Sequence, residues 1–329
     1  MPPRGDGLTT LRHLKKFLPP ILGLILLGAI VFELHKVLAK VGVSAILAAF
    51  VATPLWVVAG AVGFLGCSIV IMTCYDLPGV LFARRAHECP DLPFYKIGLA
   101  SFCAYALSHV LGASAITAAA IRLRFYSHWD VPASGLARIV AISGTNFTLG
   151  VMSVLGVLLL VDPLSVPLPF YLAALLMRII GGLLLLVPLF YIGAARKFDS
   201  IVIFKRRLTL PGWRVAIWQI TLSCLDICVA CVILYQVLPA APGLGYPDVL
   251  SLYVGAFVAG SLSGLPAGVG VFDSVLLLGL SNYISADVAL GAILLFRVLF
   301  FIVPACLGGL CYAGHELSIY ANQKSERAD

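Results

Sequence analysis

The chain alternates long apolar runs with short polar segments, and the runs predict helices. They fall at about 18–35, 43–74, 97–121, 138–161, 169–192, 213–238 and 287–312. A hydrocarbon layer about 30 Å thick is crossed by roughly 20 apolar residues rising about 1.5 Å each. The run at 43–74, interrupted by Pro54, exceeds that need, so a tilt or an interfacial first turn is expected, and the run ends at Tyr75-Asp76. The stretch from Asp248 to Ser281 is different. It is apolar enough for a bilayer, yet Gly264, Pro266, Gly268 and Gly270 interrupt its middle. Proline lacks a backbone donor and glycine holds a helix poorly. Two half-helices are therefore expected, roughly 250–264 and 271–281, joined by a Leu-Pro-Ala-Gly-Val-Gly turn. Their lengths, about 22 and 16 Å, are too short to cross alone. Irregular backbone at membrane depth persists where protein or a water-filled cavity satisfies it, so such a break points to a transport site. The plainer reading is a kinked structural helix.

Composition sharpens the class. The chain is 61% hydrophobic and 11% charged, against about 25% charged in soluble domains. It is read as an all-α polytopic membrane protein. The net charge of +7 belongs to cytoplasmic loops and anionic headgroups, and no nucleic-acid-binding motif accompanies it. The nine cysteines lie mostly inside apolar runs, where cysteine acts as a small hydrophobe. Cys224, Cys228 and Cys231 share a helix face, but no further ligand stands near in sequence, so no metal and no cofactor are expected. Arg12, Lys15 and Lys16 precede the first run without a clear small-residue cleavage site, which predicts a retained span. The expected organisation is a cytoplasmic N-terminus (1–17), a membrane domain (18–313) and a cytoplasmic tail (314–329).

Charge in the loops orients the spans. The N-terminus and the loop from Ala194 to Trp213, with Arg196, Lys197, Lys205, Arg206 and Arg207, are basic and so cytoplasmic. The 162–168 and 239–248 loops hold no Lys or Arg and are external. Counting spans between these anchors makes 97–138 enter and leave on the cytoplasmic side, and 248–285 on the external side. The result is about six full spans plus two oppositely directed re-entrant elements, in the manner of an inverted repeat with a site between its halves.

Charges inside spans cost about 2.5–3.5 kcal/mol each on insertion scales, so each needs a partner or a wet cavity. Arg178, Asp226 and Arg297 are such charges. Asp226 is expected to pair with Arg178 or Arg297, or to line a cavity. Asp273 opens the second half-helix, where it either caps the helix or lines the cavity opposite Arg297 or a cationic substrate group. Arg122 and Arg124 either snorkel to headgroups or recognise a phosphate with their guanidinium forks. Tyr126 and Trp129 suit an interface belt. His109, beside Ser108, is an interior histidine or a ligand. No nucleophile–base arrangement, zinc site or phosphate-binding glycine loop is present.

Two segments carry a family resemblance. One is YALSHVLGASAITAAAIRLRFYSHWDVPASGLARIVAISGTNFTLGV, with its Arg122-x-Arg124-x-Tyr126 group. The other runs from SLSGLPAGVGVFDSVLLLGL through LLFRVLFFIVP. From about 20 to 312 the chain resembles the membrane domain of the multiple peptide resistance factor, the lysylphosphatidylglycerol synthase/flippase, and its stand-alone relatives. That family shows Pro-Gly-Gly-x-Gly-x-Phe-Glu and then an arginine in the last span. Here Ala267 replaces a glycine, Asp273 replaces the glutamate, and Ala118 and Ala119 stand where glycines are usual. The resemblance implies lipid translocation without lipid synthesis, since the synthase domain has no counterpart here. Together with the intramembrane charge Asp226, it makes Arg122, Arg124, Pro266, Gly268, Gly270, Asp273 and Arg297 the candidate substrate-binding residues.

Three functions compete at this stage. The first is a lipid flippase of a bacterial inner membrane, acting on a membrane phospholipid. The second is an accessory subunit of a lipid-modification pathway, and the third a membrane enzyme using Asp226, Asp273 or His109, for which no constellation exists. The protein partner is left open between a second copy of the chain and a separate lipid synthase. The topology is directly testable by single-cysteine labelling in a cysteine-free background. Asp248 and Asn282 are expected on the external side, and Phe94 and Ser134 on the cytoplasmic side. Opposite-side labelling within either pair breaks the two-re-entrant scheme.

Overall fold

The computed structural model describes residues 53–111, 114–162, 174–203 and 206–325. The expected first span at 18–35, the start of the run at 43–74 and most of the 162–168 loop lie outside these residues. The helices are α1 (Leu55–Cys74), α2 (Leu77–Arg85), α3 (Phe94–Leu111), α4 (Ser114–His128), α5 (Ala133–Val161), α6 (Ala174–Lys197), α7 (Trp213–Val237), α8 (Tyr246–Leu262), α9 (Val271–Leu280), α10 (Ala286–Arg297) and α11 (Val303–Ser325). In the basic loop a short antiparallel hairpin pairs β1 (Ser200–Ile203) with β2 (Arg206–Thr209). Among the described residues, six segments are long and apolar enough to cross a bilayer: Leu55–Arg85, Phe94–Leu111, Ala133–Val161, Ala174–Lys197, Trp213–Val237 and Ala286–Ala321. The protein is an all-α polytopic membrane protein. Large apolar side chains such as Leu175, Leu189 and Phe190 of α6 face outward, as lipid contact requires.

Two boundaries differ from the sequence reading. The second run does not end at Tyr75-Asp76: the chain turns there and helix resumes to Arg85. Asp76 is fully buried and hydrogen-bonded rather than interfacial. At the other end, α10 passes through a π turn, Val298–Ile302, into α11. Helix thus continues through 314, where the tail was expected to begin.

Two pairs of helices fold back on themselves. α3 packs against α4, with the tip between Leu111 and Ser114, and α8 packs against α9 across a 3-10 turn at Pro266–Gly268. Pro247 sits in the first turn of α8, where its missing donor costs nothing. Asp248 accepts a hydrogen bond from the Gly245 N–H at 2.8 Å and closes the helix start.

The feet of the two hairpins lie at opposite ends of the molecule. At one end Arg85 donates to the Pro211 carbonyl at 3.2 Å, and Arg138 meets Glu88 at 2.6 Å and Thr209 at 2.7 Å. The Arg138 guanidinium holds the Glu88 carboxyl below its usual range. Lys96 lies over the Trp129 ring there. This basic end carries the foot of α3–α4. The foot of α8–α9 is at the other end, beside a groove of about 1020 Å³ lined by Thr53, Gln236, Ala241, Leu244 and Asp287, with no lysine or arginine in its wall among the described residues.

Close approach of α5 and α6 depends on Gly156 and Gly181. A Cβ on Gly181 would lie 2.8 Å from the Gly156 carbonyl oxygen, the small-residue contact typical of membrane helices.

The first hairpin is locked by a buried ion pair. Asp76 accepts from Arg122 Nε at 2.8 Å, Ser143 at 2.8 Å and Tyr126 at 3.1 Å. Its own N–H donates to Ser101, whose hydroxyl donates to the Met72 carbonyl. One residue therefore ties the α1–α2 break to α4 and α5 through its carboxylate and to α3 through its N–H. Truncating one partner strands a buried charge, at a cost of about 3–5 kcal/mol. Arg122→Ala is expected to lose roughly that much, whereas the paired change Asp76→Leu with Arg122→Met loses clearly less than the sum of the single changes. Thermal unfolding of the detergent-solubilised variants measures the difference.

Candidate functional site

The broken stretch is organised by its backbone. Beyond α8, Gly264, Ala267, Gly268 and Gly270 all adopt positive φ, at 67°, 51°, 59° and 90°. Three are glycines, which reach this region without a Cβ penalty. Ala267 is not, and pays about 1–2 kcal/mol. Gly268 has a second reason to be glycine: a Cβ there would stand 2.9 Å from the Cα of Gly260. The turn thus folds back directly onto the α8 backbone.

One arginine fastens this turn. Arg297, at the end of α10, makes a two-pronged pair with Asp273, Nε to Oδ1 at 2.5 Å and Nη2 to Oδ2 at 2.8 Å. Its Nη1 donates to the Ala267 carbonyl at 3.3 Å. Asp273 Oδ2 also accepts from the Gly270 N–H at 2.9 Å. Asp273 thus caps α9 and pairs with Arg297, but it does not line the cavity at the hairpin tips. The guanidinium lies over the Phe272 and Phe301 rings at 5.3 and 5.6 Å, an arrangement that adds cation–π attraction. The π turn begins at the next residue, and such turns are frequent at functional sites.

The tips of the two hairpins meet over a cavity of about 110 Å³. Ser108, His109 and Ser114 line it from the first hairpin; Phe257, Gly260, Ser261, Gly264, Ala267, Gly268 and Phe272 line it from the second, and Phe301 from the π turn. Ser114, Ser261, Gly264 and Leu265 are exposed, so the cavity opens on their side. Among the described residues, no lysine, arginine or carboxylate forms its wall. The Nδ1 of His109 lies 2.8 Å from the Tyr105 carbonyl one turn below, and its ring packs on that of Tyr105 with centroids 4.2 Å apart.

Asp226 lies next to this cavity but outside it. The expected partners Arg178 and Arg297 do not reach it. Arg297 is committed to Asp273, and Arg178 is exposed on α6. Asp226 instead accepts from the Tyr75 hydroxyl at 3.1 Å, Ser68 at 3.4 Å, and Tyr105.

Arg122 and Arg124 also stand elsewhere than at an open entry. Arg122 is buried against Asp76, and Arg124 makes two bonds of 2.6 Å to Glu316 of α11. Tyr126 is buried on Asp76 rather than interfacial. At the basic end a separate concavity of about 540 Å³ is lined by Asp91, Lys96, His128, Trp129, Asp130 and His315. Of the candidate residues, the structure brings Pro266, Gly268, Gly270, Asp273 and Arg297 together, and leaves Asp226, Arg122 and Arg124 apart from them.

Residues missed by sequence reasoning are Asp76, Tyr75 and Tyr105. Tyr105 was reachable, because it precedes His109 by one helical turn and shares its face. Asp76 was not, since its partner lies 46 positions away.

Comparison with known proteins agrees with a membrane setting. No family model matches the chain. It is 28% identical to the uncharacterized protein slr0712 of Synechocystis over 98% of both chains. It is 29% identical to the inner membrane protein YbhN of Escherichia coli over 77% of this chain and 78% of that one. A weaker similarity, 22% identity, covers 86% of this chain and 32% of the phosphatidylglycerol lysyltransferase of Staphylococcus haemolyticus. The chain is thus distantly related to membrane proteins, one of them in an inner membrane.

The turn geometry orders two substitutions. Gly268→Ala adds a contact with Gly260 to the cost of left-handed backbone, and is expected to destabilise by about 2–4 kcal/mol. Gly264→Ala meets no atom within 4 Å and should cost about 1–2 kcal/mol, the backbone term alone. Denaturant unfolding of the two variants gives the order.

Proposed function

We propose that the protein is a non-enzymatic lipid translocator of a bacterial inner membrane. It moves a phospholipid, lysylphosphatidylglycerol-like or a related polar lipid, from the cytoplasmic to the external leaflet. The observation that carries this reading is the meeting of two helix hairpins, rooted at opposite ends of the bundle, over a partly open polar cavity. The name of the Staphylococcus relative, a phosphatidylglycerol lysyltransferase, supports a phospholipid as the substrate class.

In this reading the basic end faces the cytoplasm, by the bias of lysine and arginine, and both termini lie on that side. The hairpin α3–α4 is re-entrant from the cytoplasm and α8–α9 from outside. Their first arms, 18 and 17 residues, reach about 27 and 26 Å, so the tips overlap within the layer. The physical problem is to carry a headgroup through about 30 Å of hydrocarbon. Ser108, His109, Ser114 and Ser261 line the cavity and replace part of the headgroup's hydration. The open side lets acyl chains stay in the bilayer. Because Arg122 and Arg124 are committed to carboxylates, the phosphate first meets Lys96, His128 and Trp129 in the concavity at the basic end. Asp273 and Arg297 hold the turn in shape.

A second reading, an accessory subunit of a lipid-modifying enzyme, draws support from the Staphylococcus relative, of which this chain matches about a third. Leaflet-specific labelling of aminoacylated and ordinary phospholipids, in cells with and without the protein, separates the two. Translocation predicts less labelled lipid in the external leaflet on deletion, and no rescue by Arg297→Ala, which strands Asp273. Unchanged external lipid across all classes overturns translocation and favours the accessory role.

A further inference from the structure

The two buried ion pairs leave one buried acid over. Asp226 is 3% exposed and has no cationic partner among the described residues. From α1 it is faced by Ser68 and Tyr75, and from α3 by Tyr105, with His109 behind that ring. From α5 it is faced by the apolar Phe147 and Val151, and from α8 by Tyr253, Val254 and Phe257. On its own helix, Ser223 donates to the Asn146 carbonyl. The nearest formal charges are spoken for: Asp76, at the head of α2, by Arg122, and Asp273 by Arg297 of α10. On α6, Arg178 is exposed and Tyr191 donates to Gln219. The Asp226 carboxylate is thus met by hydroxyl dipoles alone, and an unpaired buried charge is costly.

We propose that Asp226 is a proton-binding site that couples lipid movement to a transmembrane proton gradient. The coupling rests on the translocation reading; the proton site itself does not. Binding is a simple addition: one carboxylate oxygen forms an O–H bond with the incoming proton, the charge falls from −1 to zero, and release reverses both. The surrounding groups suit both states. Each hydroxyl donates to the carboxylate, and after protonation one of them turns its lone pair to accept.

Access runs from the tip cavity. A void of about 10 Å³, room for one water at most, lies against Asp226, Tyr105, Tyr253 and Phe257. The Phe257 ring lines both this void and the cavity between the hairpin tips. One aromatic ring therefore separates Asp226 from the place where a headgroup passes, and movement of the tips moves that ring. The void suits a proton better than a metal cation, which needs a shell of free oxygen lone pairs, because here the hydroxyl protons already point at the carboxylate.

The test uses the full chain in liposomes carrying a labelled phospholipid, with pH gradients imposed in both directions. The gradient is expected to shift the leaflet distribution of the lipid by up to about tenfold per pH unit for one proton per lipid. A protonophore abolishes the shift, and Asp226→Asn loses the response. A wild-type distribution indifferent to pH, an Asp226→Asn variant that still responds, or a response to sodium in place of protons overturns the proposal. A second arm needs no lipid movement: infrared difference spectra across a pH titration of the purified protein. A carboxylic C=O band that vanishes in Asp226→Asn is expected, and its absence overturns the proton site. If the asparagine variant does not fold, Asp226→Glu, which keeps the carboxyl, must shift the pH midpoint of that band, and an unshifted midpoint overturns the assignment. Lipid that stays still in every liposome while the band is present overturns the translocation reading and leaves the proton site standing.

Discussion

Arg297 holds together groups that otherwise have no reason to stay in register. Its guanidinium reaches the carboxylate of Asp273, the carbonyl of Ala267 and the faces of Phe272 and Phe301. Removing any hydrogen-bond partner from a broken segment inside hydrocarbon exposes a polar group that water cannot reach, at a cost of several kcal/mol. The turn between α8 and α9 uses four residues at positive φ, one of them an alanine. Its shape is therefore not the one the chain would choose alone. The Asp273 carboxylate accepts from both Arg297 and the Gly270 N–H, so the charge that anchors the turn also starts the next helix. The cavity at the hairpin tips inherits its outline from this arrangement, because Ala267, Phe272 and Phe301 form part of its wall.

The class of fold was legible in the sequence, and so was the position of the break. Apolar runs at 138–161, 169–192 and 213–238 match helices to within about five residues, since run length and hydrocarbon thickness are tied by helix rise, whereas helix runs well past the expected ends at 74 and 312. Gly264, Pro266, Gly268 and Gly270 marked the turn because each carries a backbone property that does not depend on distant partners. The Arg297–Asp273 pair was also foreseeable: an arginine within an apolar run demands an acid, and the helix start at 271 placed one nearby. The sequence misled where a polar residue's role depended on contacts far along the chain. Asp76 closes an apolar run and so reads as an interface residue, yet it is buried beneath residues from three later helices. Arg122 and Arg124, two positions apart, read together as arginines that snorkel to headgroups or bind a phosphate. On a helix, residues i and i+2 point to different sides, and these two meet Asp76 and Glu316 on separate helices.

The two hairpins are fixed by the same device with its charges exchanged. In the first, the arginine sits on the returning arm, Arg122 of α4, and the acid lies outside it. In the second, the acid sits on the returning arm, Asp273 of α9, and the arginine lies outside. In both cases the outside partner stands where a neighbouring helix departs from regular geometry. Asp76 lies at the break between α1 and α2, and Arg297 at the start of the π turn. That placement has a physical reason. A helix irregularity frees backbone groups and changes the direction in which a side chain points, so a long guanidinium can be met head-on inside a tightly packed bundle. It also confines the cost of each ion pair to one location, because the acid or base that would be expensive to bury elsewhere satisfies the irregular backbone as well.

Tyr75 and Asp76 connect the two polar centres through a single peptide bond. Tyr75 donates to Asp226, and Asp76 receives Arg122 of the first hairpin. The Tyr75 carbonyl accepts from Asn146 of α5, and the Ser223 hydroxyl of α7 donates to the Asn146 carbonyl. The first hairpin is thus bound at its returning arm to Asp76, while its leading arm supplies Tyr105 to Asp226. Any movement that draws α3 and α4 away from the bundle must act on both acids together, through two arms of one hairpin and two adjacent residues of the α1–α2 break. Interiors packed at crystal-like density do not deform gradually. These contacts join α3, α4 and the 75–76 turn into one unit, and the glycine turn of the second hairpin meets that unit at the cavity.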